Sequence, residues 1–404
     1  MLAAPHRLML VFGTRPEAIK LAPLVVALRA DPRFAPIIVN TGQHREMLVP
    51  ILEWFDIQPH HTLSVMEPGQ PLARLSAKLL EGLHSIMEAE RPETVVVQGD
   101  TTTALMGALA AYYGYDYHVR HESGQAQRRT IHVAHIEAGL RTGNRYAPFP
   151  EEANRVLIGQ LAHWHFAPTQ AAANALAAER ITERVYITGN TVVDALQHTA
   201  SLIQAGSGAA LKDVPASAIA RPYILITGHR RENYGEGFQH MCQAILTLAK
   251  RFPTHNFVYP VHLNQHVQKP VNALLGATPN IFLVPPQDYP AFVQLMQGAT
   301  LILTDSGGVQ EEGPALGKPV LVMRDVTERP EGVEAGTAKL VGTNEAAIVA
   351  GVADLLENPA AYQAMAHAVN PYGDGHATQR ILHLLAGDVP ENNLFNPLLK
   401  PEER

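Results

Sequence analysis

The stretch LILTDSGGVQEEGPALGKPV, Leu301 to Val320, decides the reading of the fold. A short apolar run, LILT, enters a Gly-rich turn and then a segment with helical spacing, which is one strand-turn-helix unit. At the start of such a helix the backbone N–H groups of Ser306, Gly307 and Gly308 lack intrahelical acceptors, and the helix dipole adds partial positive charge. An anion fits there, and glycine lets a phosphate approach the backbone. About one turn later stand Glu311 and Glu312, whose carboxylates can accept hydrogen bonds from neighbouring sugar hydroxyls. Phosphate and ribose together point to a nucleotide; the plainer alternative is an ordinary helix capped by Ser and Gly.

Outward from this unit the same alternation recurs. The runs LMLVF (8–12), PIIVN (36–40), TVVVQ (94–98), IHVAHI (131–136) and VYIT (185–188) alternate with amphipathic segments, and a second set follows: YILIT (223–227), NFVYPV (256–261), IFLVP (281–285), LILT (301–304) and PVLVM (319–323). Continuous apolar strands between helices imply parallel sheets covered on both faces, hence an α/β chain of two Rossmann-like doubly wound domains. The small-residue stretch SLIQAGSGAALKDVPASAIARP reads as the linker. The expected domains are 1–200 and 201–375, with the last segment, 376–404, crossing back to the first after the turn signal NPYGDG.

Composition narrows the functions. A chain of 404 residues exceeds what one core usually serves. Lys plus Arg number 31 against 38 Asp plus Glu, which argues against nucleic-acid or anionic-membrane binding, so any phosphate must be held locally. The single cysteine, Cys242, excludes an internal disulfide and a thiolate metal cluster. With no secretion signal and no apolar run near ~20 residues, a soluble cytoplasmic protein is expected.

In open α/β sheets ligands bind beyond the carboxyl ends of the strands. There lie Gly13-Thr14-Arg15-Pro16-Glu17, Gly99-Asp100-Thr101, Glu137-Ala138-Gly139 and Gly228-His229-Arg230-Arg231, four polar clusters that can converge on one cleft. Thr14 suits an N-cap, and Arg15 can reach a phosphate. Asp100, Glu137 and Glu151 form a carboxylate set fit for acid-base work, because crowding and loss of water raise a carboxyl pKa. Singly, each reads as well as a cap or a surface charge. His229, beside two arginines, can hydrogen-bond a pyrophosphate and ease its departure. No G-x-G-x-x-G follows the first strand and no P-loop is present, since GPALGKP ends a helix instead of opening one; neither NAD nor another cofactor is expected. His118, His121, His132 and His135 are close in sequence but lack a metal-ligand pattern, so no metal is expected.

With VFGTRPEAIK, QHREML, GDTTT, HIEAGLRTG, PEEANR, ITGNTVVDAL, TGHRREN, YPVHLN, LTDSGGVQEEGPALGKPVLVMR, TERPEG and NPYGDG in order, the chain resembles the non-hydrolysing UDP-N-acetylglucosamine 2-epimerases of bacteria, from residue 8 to about 385. The resemblance implies a glycosyltransferase B-like pair of domains facing across a cleft, a homodimer, and a place in cell-surface polysaccharide biosynthesis. It implies Asp100, Glu137, Glu151 and His229 as the catalytic set. Nucleotide contacts are implied for Arg15, Gln287, Phe292, Ser306, Gly307, Gly308, Glu312 and Arg329, with Lys20 near the active site. A second UDP-N-acetylglucosamine, acting as activator, is implied for Gln43, Glu46, Arg230 and His262; Gly69 stands where some members carry an arginine.

The implied chemistry accounts for the residue types. Hydrogen at C2 of the sugar has no adjacent carbonyl and is not acidic, so UDP must be eliminated first to give 2-acetamidoglucal, then re-added with a proton on the opposite face. Two faces require at least two acid-base groups. Rivals are a glycosyltransferase of the same fold and a hydrolysing epimerase releasing free N-acetylmannosamine. One departure is an extra segment around 114–131, in which HVRHESG nearly repeats HVAHIEAG. Glu137 is followed by AGLRTG and matches the family glutamate, whereas Glu122 reads as an imperfect copy in a loop or hairpin.

Overall fold

The computed structural model describes residues 4–114, 118–120, 126–128, 130–388 and Phe395. They form two compact units, one of residues 1–195 with 373–404, the other Leu196–Tyr372.

The first unit carries β1 (His6–Phe12), β2 (Phe34–Asn40), β3 (His61–Thr62), β4 (Thr94–Gln98), β5 (His118–Arg120), β6 (Ala126–Arg128), β7 (His132–Ile136), β8 (Trp164–Ala167) and β9 (Val185–Ile187). Seven of these make one sheet in the order β3-β2-β1-β4-β7-β8-β9, parallel at every pairing. Leu8, Met9, Leu10, Val11 and Phe12 are each at most 1% exposed, so β1 is covered on both faces, which is why its sequence is a continuous apolar run. Strand order reverses between β1 and β4, opening a crevice at their carboxyl ends. Strands β5 and β6 pair antiparallel as a separate two-stranded sheet within the extra segment; Glu122 and His121 lie outside the described residues.

The second unit carries β10 (Tyr223–Thr227), β11 (Asn256–Pro260), β12 (Ile281–Val284), β13 (Leu301–Thr304), β14 (Val320–Val322) and β15 (Ala338–Leu340), again all parallel, ordered β12-β11-β10-β13-β14-β15. Its reversal lies between β10 and β13. The chain returns to the first unit at Gly373, and Asp194 accepts the N–H groups of Thr378 at 2.7 Å and Ala377 at 3.3 Å, capping helix Ala377–Leu385. Among the described residues no helix is long and apolar enough to cross a membrane.

Candidate functional site

At the crevice of the first unit the helix Arg15–Ala30 follows β1 through Gly13 and Thr14. Thr14 is its N-cap residue, and the fully buried carboxylate of Glu17 reaches back to accept the N–H groups of Gly13 at 3.0 Å and Thr14 at 2.7 Å. Burial pushes the Glu17 carboxyl above its ordinary value, against the lowering effect of these bonds and of Thr101. A helix start of this kind commonly receives a ligand phosphate; here a side chain of the protein already fills it. Arg15 stands exposed at the first helical position.

Two strand ends away, Glu137 follows β7 with φ +66°, the left-handed region, which costs a non-glycine residue roughly 1–3 kcal/mol. Its side chain is 6% exposed, and Oε2 accepts from Lys20 Nζ, from Gln98 Nε2 at 3.1 Å and from Asn190 Nδ2 at 3.0 Å. Lys20, Gln98 and Asn190, from three separate segments, thus converge on one carboxylate oxygen. Asp100 follows β4 and Gly99; Oδ2 accepts from both Nε and Nη2 of Arg155, and its carbonyl accepts from Asn154 Nδ2 at 2.8 Å. Arg155 in turn donates to Glu152 at 2.9 Å, and the other oxygen of Glu152 accepts the N–H groups of Thr142 and Gly143. Crowded carboxylates were expected to face mutual repulsion; instead Asp100 and Glu137 each meet a cation of their own. Glu151 stands half-buried at the first position of helix Glu151–Leu161, where the dipole favours its charge. Beneath this cluster His135 is fully buried, its Nε2–H donates to Gly99 O at 2.7 Å, and burial pushes the ring down to about 3. Gln43 accepts from the Thr103 hydroxyl at 2.9 Å, Glu46 lies on helix Arg45–Trp54, and Gly69 has φ +70° with open space around it.

In the second unit, β10 ends in Gly228-His229-Arg230 and β13 ends in Asp305, on either side of the strand-order reversal. The buried Asp305 Oδ2 accepts the N–H groups of His229 and Arg230, both at 2.8 Å, and Nδ2 of Asn233 at 3.3 Å. The His229 ring stacks on His262 with centroids 5.4 Å apart. Helix Gly307–Ala315 begins after Ser306; the Ser306 N–H, expected to be open to an anion, donates to Thr304 Oγ1 at 2.9 Å. Gly307 and Gly308 occupy the first turn, whose N–H groups precede any intrahelical acceptor. A Cβ on Gly307 would lie 3.3 Å from Glu328 Oε1 and 3.5 Å from Arg230 Nη2, so a side chain there would press on the Arg230–Glu328 pair. Arg324, 7% exposed, donates to Glu328 at 2.5 Å and Glu232 at 2.6 Å. Burial opposes ionisation of Glu328, but its own backbone N–H, Arg324 and Arg230 hold its carboxyl down to about 2.

Arg329 donates to Glu311 at 2.5 Å, which commits Glu311, while the buried Glu312 lies against Tyr289, whose hydroxyl is raised by burial and then by the Glu312 charge. Phe292 is half-buried on helix Tyr289–Gly298. The Gln287 side chain is engaged with backbone: it accepts Lys212 N–H at 2.9 Å and donates to Lys212 O at 2.9 Å and Pro285 O at 2.7 Å. The structure therefore gathers Lys20 with Glu137 and His229 with Arg230 and His262, each group within one unit. Sequence reasoning missed Glu17, Arg155, Asn190 and Asp305 as partners; a polar residue directly after a buried strand, as Asp305 is, was the available signal. Among the described residues no group of three or more His, Cys, Asp or Glu could hold a metal ion.

Residues 26–386 match the family model described as UDP-N-acetylglucosamine 2-epimerase. The chain is 49% identical over 386 residues to the UDP-N-acetylglucosamine 2-epimerase of Salmonella typhimurium, covering 94% of this chain and 98% of that one. It is likewise 49% identical over 389 residues to the Escherichia coli K12 enzyme of that name, with the same coverage of 94% and 98%. The crystal structure of UDP-GlcNAc 2-epimerase from Neisseria meningitidis bound to UDP-GlcNAc superposes with a TM-score of 0.82 at 43% identity, covering 94% of this chain and all of that one. A match through both units, two parallel α/β sheets and near-complete coverage agree: the chain belongs to the UDP-N-acetylglucosamine 2-epimerase family.

Proposed function

We propose that this protein interconverts UDP-N-acetylglucosamine and UDP-N-acetylmannosamine by non-hydrolytic epimerisation at C2. The observation that carries the reading is Glu137, a buried carboxylate held in strained backbone by Lys20, Gln98 and Asn190 at a strand end, in a chain of this family. A base takes the C2 proton while the electron pair forms the C1=C2 bond and the C1–O bond breaks, leaving UDP and 2-acetamidoglucal. UDP then adds back at C1 as a proton reaches the opposite face of C2. Asp100, Glu137 and Glu151 supply the proton-transfer groups; His229 takes up the charge that develops on the departing diphosphate. Arg15, Ser306, Gly307, Gly308 and Arg329 hold the phosphates, Ser306 through its hydroxyl because its N–H is taken by Thr304; Glu312 holds the ribose, and Gln287 and Phe292 the uracil, Gln287 through its backbone because its side chain is already engaged.

The same reading carries a cytoplasmic homodimer in which a second UDP-N-acetylglucosamine, contacting Gln43, Glu46, Arg230 and His262, acts as activator. In heavy water the equilibrium mixture should carry deuterium at C2 of both UDP-sugars. Unlabelled sugars would refute the elimination route, free N-acetylmannosamine as the product would establish the hydrolysing alternative, and sugar transfer to an added acceptor would establish a glycosyltransferase.

A further inference from the structure

Asp305 has two oxygens with different duties. Oδ2 is saturated by the His229 and Arg230 N–H groups and by Asn233. Oδ1 is buried, has no hydrogen-bond partner among the described residues, and lies 3.5 Å from His229 Nδ1. Asp305 itself is 0% exposed, whereas the His229 side chain is 41% exposed. An ionised oxygen withdrawn from water needs a donor, and an unmet one is costly. The imidazole edge is the donor within reach, and a displacement of a few tenths of an ångström brings it to hydrogen-bond distance. The opposite constraint comes from His262, which stacks on the ring at an interplanar angle of 15° and limits its rotation.

We infer that Asp305 is a positioning residue for the epimerase reaction: its Oδ1 accepts from Nδ1–H of His229 and its charge sustains the imidazolium, so that a protonated Nε2 donates to the departing diphosphate. The inference rests on the proposed role of His229 and adds what fixes that ring's orientation and charge. The same carboxylate ties the loop after β10 to the end of β13 across the strand-order reversal, so loop placement and ring orientation are set by one group. A carboxylate behind an imidazole acts in this way in hydrolase triads, where exchanging it for the amide leaves the geometry but reverses the tautomer.

Asp305→Asn separates the two duties. The amide carbonyl still accepts the His229 and Arg230 N–H groups, while its NH2 donates to Nδ1, which favours a neutral ring with its one proton on Nε2. In full-length protein labelled with nitrogen-15 in its histidine rings, the resonance absent from His229→Gln identifies His229. The expected spectrum has Nδ1 protonated in the parent protein and bare in Asp305→Asn. Turnover should fall about 10- to 100-fold, with KM and the calorimetric Kd for UDP within about threefold. Adding Asp305→Asn to His229→Gln should cost nothing further. A bare Nδ1 in the parent, or an Asp305→Asn protein with parental spectrum and turnover, overturns the inference. If Asp305→Asn fails to fold, the parental spectrum alone decides. Full turnover in His229→Gln would instead overturn the catalytic role of His229, which the tautomer measurement does not touch.

Discussion

The hydroxyl of Thr101 donates to Glu17 Oε1 at 2.5 Å, which joins the helix after β1 to the helix after β4 beneath two proposed site residues, Arg15 and Asp100. Thr101 also caps its own helix, accepting from Ala104 N at 3.0 Å. Thr101→Val keeps the shape and removes both bonds. Loss of a cap together with a hydrogen bond to a buried charge should destabilise the protein by about 2–4 kcal/mol. Denaturant unfolding measures this directly; a loss under about 1 kcal/mol would mean that solvent replaces Thr101.

Lys20→Met removes the Lys20 cation from Glu137 and keeps the neutral amide donors Gln98 and Asn190. A buried carboxylate without its countercharge holds its proton to higher pH. The acidic limb of the kcat/KM profile should therefore move upward by at least about one pH unit, with turnover at neutral pH down about tenfold or more. An unmoved limb would separate Glu137 from the proton-transfer step.

Gly139, φ +93°, follows Glu137 by two residues, and a Cβ there would lie 2.2 Å from the backbone oxygen of Ala172. A backbone atom cannot swing aside as a side-chain tip can. Gly139→Ala should cost at least about 2–4 kcal/mol, combining left-handed strain with a clash. Calorimetric unfolding near the parental temperature would contradict that packing.

His135 must stay neutral while buried. Its folded value is depressed to about 3 from 6.5, so the stability it contributes is complete above 6.5 and is lost as pH falls from there toward 3, because the unfolded chain binds the proton first. Within that window the loss approaches about 1.4 kcal/mol per pH unit from this ring. Urea titrations between neutrality and mild acid should show a shallower slope for His135→Asn than for the parent. Equal slopes would remove His135 as a source of acid sensitivity.

Much of the architecture was legible because parallel strands buried on both faces are written as unbroken apolar runs, as LMLVF, TVVVQ and LILT are. The edge strands β3, two residues long, and β15, AKL, carry no such run and went unread. WHFA, which became β8, was hidden by the polar His165, a ring that is 3% exposed inside the structure. Strand-end polar residues could be picked from sequence, since position along a strand is local information. Their partners could not: Arg155 meets Asp100 across 55 residues and Asn190 meets Glu137 across 53, contacts that only the folded sheet creates. The anion-binding reading of the Gly-rich turn was too generous by one donor, because Thr304, the last residue of its own strand, reaches forward to Ser306.

Because the first unit takes up chain again only from Gly373, a ribosome making this protein releases the whole of Leu196–Tyr372 before the first unit has its helix Ala377–Leu385. Asp194, set down early, waits through nearly half the synthesis for the amides of Ala377 and Thr378. The later-made unit thus has every residue it needs sooner than the earlier one, and the nascent protein is expected to mature from its middle outward.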